Sequence, residues 1–312
     1  MSKRNFREML ETQWSRGNFV CVGLDPEIEK LPKPFQFRHT EYSPQTVESE
    51  FVGFCEHIVQ ATADLVCAYK PNSAFFERHG EQGWRALRRI IAVIHEIAPN
   101  VPVILDAKRA DIGNTNAGYV DAAFGFLQAD AITVHPYLGH EALQPFLNCK
   151  DKGIFVLCRT SNPGAGEFQD TWKSLATMEA GEKREEFLRF EKRIGDQLHA
   201  GGVPLYQYVA FRVAEYWNRN GNCAVVVGAT YPEELRGVRR IVGDMPVLIP
   251  GIGAQGGDVE KTVSAGKNSR GQGMIINSSR GIIFASKESD FAEAARRETE
   301  KLRDIINQYR NN

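Results

Sequence analysis

The stretch Val101-Pro102-Val103-Ile104-Leu105-Asp106-Ala107-Lys108-Arg109-Ala110-Asp111 sets the reading of the fold. A short run that is apolar throughout passes directly into charged residues. A strand with one wet face would alternate apolar and polar residues. A continuous run predicts burial on both faces, as in a parallel sheet. Seven more such runs flank it: Phe19–Leu24, Leu65–Tyr69, Ala131–Val134, Gly153–Cys158, Cys223–Val227, Val247–Ile249 and Met274–Ile276. Between them lie helical stripes, such as Phe51, Phe54, Cys55, Ile58 and Val59, and Trp84, Leu87, Ile91, Ile94 and Ala98. Phe187, Phe190, Ile194 and Leu198 form a third. Spacings of three and four place each set on one face, for packing against the sheet. Strand and helix in alternation define an α/β protein. Eight strands with a helical end (Phe291 to Tyr309) favour a closed (β/α)8 barrel, the TIM barrel, over an open sheet.

The length of 312 residues admits one large domain or two small ones. No Gly/Ser linker or shift in composition divides the chain, so residues 1–312 read as a single barrel domain. Two gaps exceed simple βα loops: Pro26–Ser49 after strand one, and Asn162–Asn222 after strand five, which needs an extra helix or two. Lys plus Arg is 38 against 39 Asp plus Glu, which argues against a nucleic-acid-binding surface and leaves room for a local phosphate site. No run of ~18 apolar residues predicts a membrane span. The polar start, Met1 to Trp14, has no apolar signal core, so the expected location is the cytoplasm. Six scattered cysteines without a C-x-x-C pair read as small core residues rather than metal ligands or disulfides.

In such barrels chemistry sits at the C-terminal ends of the strands. There the chain places Asp25, Lys70, Asn72, Asp106, Lys108, Asp111, His135, Ser161, the glycine run Gly251–Gly257, and Arg280. Asp106 and Lys108 are two apart, so an extended chain points them to one face. A lysine between carboxylates keeps its proton and lowers their pKa values. The cluster fits a proton donor beside a fixed negative charge, or a structural salt bridge. Gly251, Gly253 and Gly256 match G-x-G-x-x-G, but a dinucleotide fingerprint belongs at the start of a βαβ unit. Backbone N–H groups around a phosphate, with Arg280 as the cationic fork, suit the position after strands seven and eight better. His135 lacks a second ligand at metal spacing and reads as structural.

These motifs together resemble the orotidine 5′-phosphate decarboxylase family. The resemblance runs in order through Gly23-Leu24-Asp25, Ala68-Tyr69-Lys70-Pro71-Asn72, Asp106-x-Lys108-x-x-Asp111-Ile112, Pro250-Gly251-Ile252-Gly253-Ala254-Gln255-Gly256-Gly257 and Arg280. It spans roughly residues 19–285, and the long insertions resemble the longer bacterial branch. It implies a β/α-barrel homodimer that converts orotidine 5′-phosphate to uridine 5′-phosphate and carbon dioxide, the last step of de novo pyrimidine synthesis, with no metal or organic cofactor. It also implies that Lys108 protonates the carbon that loses the carboxylate, that Asp106 lies against that carboxylate, and that Lys70 holds Asp106 and the ribose. Asp25 would bind a ribose hydroxyl and Ser161 would face the pyrimidine edge. Gln255, Arg280 and the backbone near Gly253 would grip the phosphate. Asp111, Ile112 and Thr115 would reach into the partner subunit's site. One departure is Ser279, where shorter members carry Gly before the Arg, which bears on the backbone donors there.

Two rivals remain at this level. Metal-dependent phosphosugar decarboxylases resemble the chain at Asp106-x-Lys108-x-x-Asp111 but carry an acid where Lys70 stands, and a lysine there repels a divalent cation. A non-catalytic phosphate-binding barrel would tolerate loss of Lys108 or Asp106, yet all four charged residues are present.

Overall fold

A computed structural model describes residues 4–36, 44–174, 184–195, 202–252 and 257–311. Among them ten strands form: β1 (Val20–Gly23), β2 (Val66–Lys70), β3 (Ile104–Arg109), β4 (Ala131–Val134), β5 (Gly153–Arg159), β6 (Trp172–Ser174), β7 (Gly202–Pro204), β8 (Cys223–Val227), β9 (Val247–Pro250) and β10 (Met274–Ser278). Eight pair in parallel in the order β2-β1-β10-β9-β8-β5-β4-β3. Bridges Tyr69–Val103 and Asn72–Asp106 join the two ends of that order. The N–H of Tyr69 donates to the Pro102 carbonyl and that of Asp106 to the Pro71 carbonyl, each at 3.0 Å. The ring therefore closes, and the expected barrel forms.

All residues of β1, β2, β4, β8 and β10 are buried, as continuous apolar runs between helices and barrel interior require. The stripe from Phe51 to Val59 is buried on the helix Pro44–Thr62. Leu87, Ile91 and Ile94 are buried on the helix Gly80–Ile97. Phe190 and Ile194 are buried on the helix Arg184–Ile194, and Leu198 lies outside the described residues. All six cysteines are free, and five are buried.

Several local features depart from the expectation. The strands run into the polar residues: β3 begins at Ile104 and continues to Arg109 rather than stopping at Leu105. Its register to β4 slips between Leu105 and Arg109, and Lys108 takes φ +48°. A non-glycine residue in the left-handed region is uncommon and marks a strained, over-determined position. The insertion after β5 contains, besides helices, the antiparallel pair β6–β7. Strands of three residues are too short to show periodicity. The polar N-terminus forms a helix, Phe6–Ser15, whose Trp14 ring is buried and donates Nε1–H to the Met274 carbonyl at 2.8 Å. Phe6 packs on Gly153 so closely that a Cβ there would lie 2.5 Å from the ring. This helix closes the N-terminal end of the barrel.

Candidate active site at the barrel mouth

The β3 irregularity builds the site. Thr133 on β4 faces it, accepting the Lys108 N–H and donating its hydroxyl to Asp106 Oδ1, both at 2.9 Å. Asp106 Oδ1 also accepts from Lys108 Nζ at 2.7 Å, and Oδ2 from Lys70 Nζ at 2.9 Å. One hydroxyl thus ties the distorted backbone to the carboxylate. The expected shared face is achieved through this distortion rather than by a regular strand.

Burial alone would lift the Asp106 carboxyl pKa, but the charges of Lys70 and Lys108 outweigh it and hold it well below the carboxylate range. Burial would likewise pull Lys70 down, yet Asp106, then Asp25, hold it above the ordinary lysine value. Lys70 is buried, whereas the Lys108 side chain is 47 % exposed. Within one chain the arrangement is a carboxylate between two lysines. Lys108 itself is not held between two carboxylates, because Asp111 makes no hydrogen bond or ion pair with it among the described residues. The Asp111 carboxylate accepts the Ile112 N–H at 2.7 Å instead.

Two cavities, each about 390 Å³, open here and share Lys70 and Pro250 in their walls. The first is lined by Asp106, Lys108, Thr133, Ser161 and Gln169. The second is lined by Asp25, Asn277, Ser279 and Arg280. Asp25 accepts from the Asn72 N–H at 3.1 Å and from Ser279 Oγ at 2.8 Å. Ser279 also donates to the Gly23 carbonyl. The departure at Ser279 thus supplies a side-chain partner for Asp25. Gly23 is required beside it, since a Cβ there would lie 2.7 Å from the Ser279 Cβ.

Arg280 is exposed and makes no ion pair with a described residue. Gly253 and Gln255 lie outside the described residues. Of the described residues on either side, Gly251 takes φ +103° and Gly257 packs so closely that a Cβ there would meet the Gly251 carbonyl at 2.8 Å. Ile112 and Thr115 are exposed at the start of the helix Gly113–Val120. His135 accepts the Tyr137 N–H at 3.3 Å, a local structural bond.

Three residues at the site escaped the sequence reading. Asn277 opens the polar end of the eighth apolar run and Thr133 lies inside the fourth, and nothing in the sequence marks a role for either. Asn277 is buried, and its Oδ1 has no partner among the described residues. Gln169 gave no signal either, because its place depends on how the insertion folds back.

Fold and site together define a β/α-barrel enzyme with its charged centre at the C-terminal mouth. The chain belongs to the orotidine 5′-phosphate decarboxylase / HUMPS family, whose model matches residues 18–297. It is 48% identical over 307 residues to an orotidine 5′-phosphate decarboxylase of Ralstonia nicotianae, covering 98% of this chain and 99% of that one. The Cupriavidus necator enzyme of the same name is 46% identical over 306 residues, covering 98% of each. The solved Leishmania donovani OMP decarboxylase superposes with a TM-score of 0.73 at 34% identity, covering 97% of this chain and 98% of that one.

Proposed function

We propose that this chain decarboxylates orotidine 5′-phosphate to uridine 5′-phosphate and carbon dioxide in pyrimidine biosynthesis. It acts without metal or organic cofactor, as a cytoplasmic homodimer with one barrel domain per chain. The observation that carries the reading is the buried Asp106 held between Lys70 and Lys108 beside a cavity.

The chemistry follows from that geometry. When the carbon–carboxylate bond breaks, carbon dioxide leaves and its electron pair stays on the pyrimidine carbon. With no ring position to receive the pair, stabilisation comes from a fixed cation, and the Lys108 ammonium provides it. A proton then moves from Nζ to that carbon, and the neutral amine recovers a proton from solvent. Asp106 faces the departing carboxylate and, with Lys70, fixes Lys108. Asp25 takes a ribose hydroxyl, and Ser161 faces the pyrimidine edge. Arg280, Gln255 and the backbone at Gly253 take the phosphate. The phosphate is remote from the reacting carbon, so its binding energy orders the site around the chemistry. Asp111, Ile112 and Thr115 complete the partner's site, a role supported by the exposure of Ile112 and Thr115 and by the half-buried Asp111, whose carboxylate bonds only to the Ile112 N–H among the described residues. Lys70, where metal-dependent relatives of the fold carry an acid, opposes a divalent cation.

The test is the absorbance change on orotidine 5′-phosphate loss, with and without a chelator. Turnover unaffected by chelation is expected. Absence of turnover, or its abolition by chelator, overturns the reading.

A further inference from the structure

The chain leaves β5 at Arg159 and comes back to it ten residues later. The turn Pro163–Ala165 and the helical turn Gly166–Gln169 reverse its direction. Gln169 Oε1 then accepts the Thr160 N–H at 2.8 Å, and Nε2 donates to Thr160 Oγ1 at 3.0 Å. The Thr160 hydroxyl in turn donates a hydrogen bond to Asn162 Oδ1 at 2.7 Å. A main-chain N–H can only donate, so it fixes which way the amide points.

The next residue fastens the same place. Asp170 Oδ2 accepts from Arg159 Nη2 at 2.9 Å, and Oδ1 lies 2.8 Å from Nε. Arg159 is buried, sits 4.0 Å from the Tyr231 ring centroid and donates to the Thr160 carbonyl at 3.0 Å. Gly166 makes room for this clasp, since a Cβ there would come within 2.6 Å of Asp170 Oδ2. On the opposite side Ser161 packs against Gly228, where a Cβ would lie 2.6 Å from the serine Cβ. Ser161 is thus held from one side by Gly228 and from the other, through Thr160, by Gln169. Both Ser161 and Gln169 line the cavity that holds Lys108.

We infer that Gln169 is a positioning residue for the pyrimidine end of the substrate. It fixes the Thr160–Ser161 backbone, and the insertion after β5 thereby belongs to the active site. This rests on the decarboxylase reading above. Gln169→Met keeps the side chain's bulk and removes both bonds. Thr160→Val removes the hydroxyl from the other side of the contact. Steady-state kinetics with orotidine 5′-phosphate should show KM raised about 10-fold in Gln169→Met, with kcat within about threefold of wild type. Thr160→Val should raise KM by a smaller factor, and the double variant should raise it by less than the product of the two single effects, because the two side chains share one contact. A purely structural role would lower the thermal midpoint and leave KM unmoved. If the wild type turns over and both single variants keep its KM, the inference falls and the decarboxylase reading stands. If the wild type does not turn over, both fall.

Discussion

Two buried carboxylates sit at opposite ends of the barrel, and cations flank both. Asp130, just before β4 on the N-terminal face, accepts Arg4 Nε at 2.8 Å, Arg4 Nη2 at 2.7 Å and the Val103 N–H at 2.9 Å. Burial would raise its pKa, but Arg4 and His95 bring it down to about 2. Asp106, at the mouth, is held down in the same way by two lysines. The electrostatic device is the same, and the difference lies in what the cations can still do. Each of the three Arg4 guanidinium nitrogens donates to a fixed partner. The group is spent on Asp130 and on main-chain carbonyls such as that of Val101. Lys108 holds Asp106 with one bond, and its half-exposed side chain lines a cavity. On the proposed mechanism this is what makes the mouth pair a reaction centre, because Lys108 can give a proton to a ligand.

The sharpest way to break this comparison is at Lys108. Lys108→Ala should lower kcat by about 10³-fold or more, since on the proposed mechanism it removes both the cation and the proton donor. It should still bind uridine 5′-phosphate, which titration calorimetry would read. Near-normal turnover would leave the mouth pair no different in kind from Asp130. Mixing this variant with Asp111→Ala should restore activity through hybrid dimers that each hold one intact site. No recovery after verified subunit exchange would remove Asp111 from the shared site.

The N-terminal pair should behave in the opposite way. Arg4→Ala leaves Asp130 buried without its main partner and should cost about 3 kcal/mol of stability in denaturant unfolding, with kcat unchanged. The pH dependence has a defined sign. A carboxyl whose folded pKa is lowered from 3.8 to about 2 adds stability that is complete above its ordinary value. That stability is lost as pH falls from about 4 towards 2. Arg4→Ala should therefore flatten that part of the acid-unfolding curve. A variant with wild-type acid sensitivity would show that Arg4 does not set the Asp130 titration.

The two ends also differ in how much of each was legible in the sequence. The α/β alternation, the number of barrel strands and the charges at the mouth follow from eight apolar runs, most of which end in a polar residue, whereas closure of the ring is not written in any of them. Asp106, Lys108 and Lys70 were visible because charge at the end of a buried strand is unusual and local. Arg4 and Asp130 were not, because they are 126 residues apart and nothing local marks them as partners. The Lys108 backbone conformation was equally hidden. Its slip depends on Thr133 of the neighbouring strand, and pairing register is not written in either strand alone. Gln169 was hidden for a related reason, since its partner Thr160 is reached only after the insertion reverses.

The smallest expected effect separates two kinds of contact within the mouth itself. Ser279 touches Asp25 but not the Lys70–Asp106–Lys108 cluster. Ser279→Ala removes one hydroxyl and keeps the Cβ that packs against Gly23. Asp25 would still accept from the Asn72 N–H, and the adjoining cavity lets water replace the lost donor. The cost should therefore be about 1 kcal/mol, below that of an unreplaced charged hydrogen bond. If Asp25 grips the ribose and takes no part in bond breaking, that cost appears as a rise in KM of about fivefold with kcat unchanged. A fall in kcat with KM unchanged would place Asp25, through Ser279, on the chemical step. The boundary between gripping and reacting groups would then have to be redrawn across the Lys70 wall that separates the two cavities.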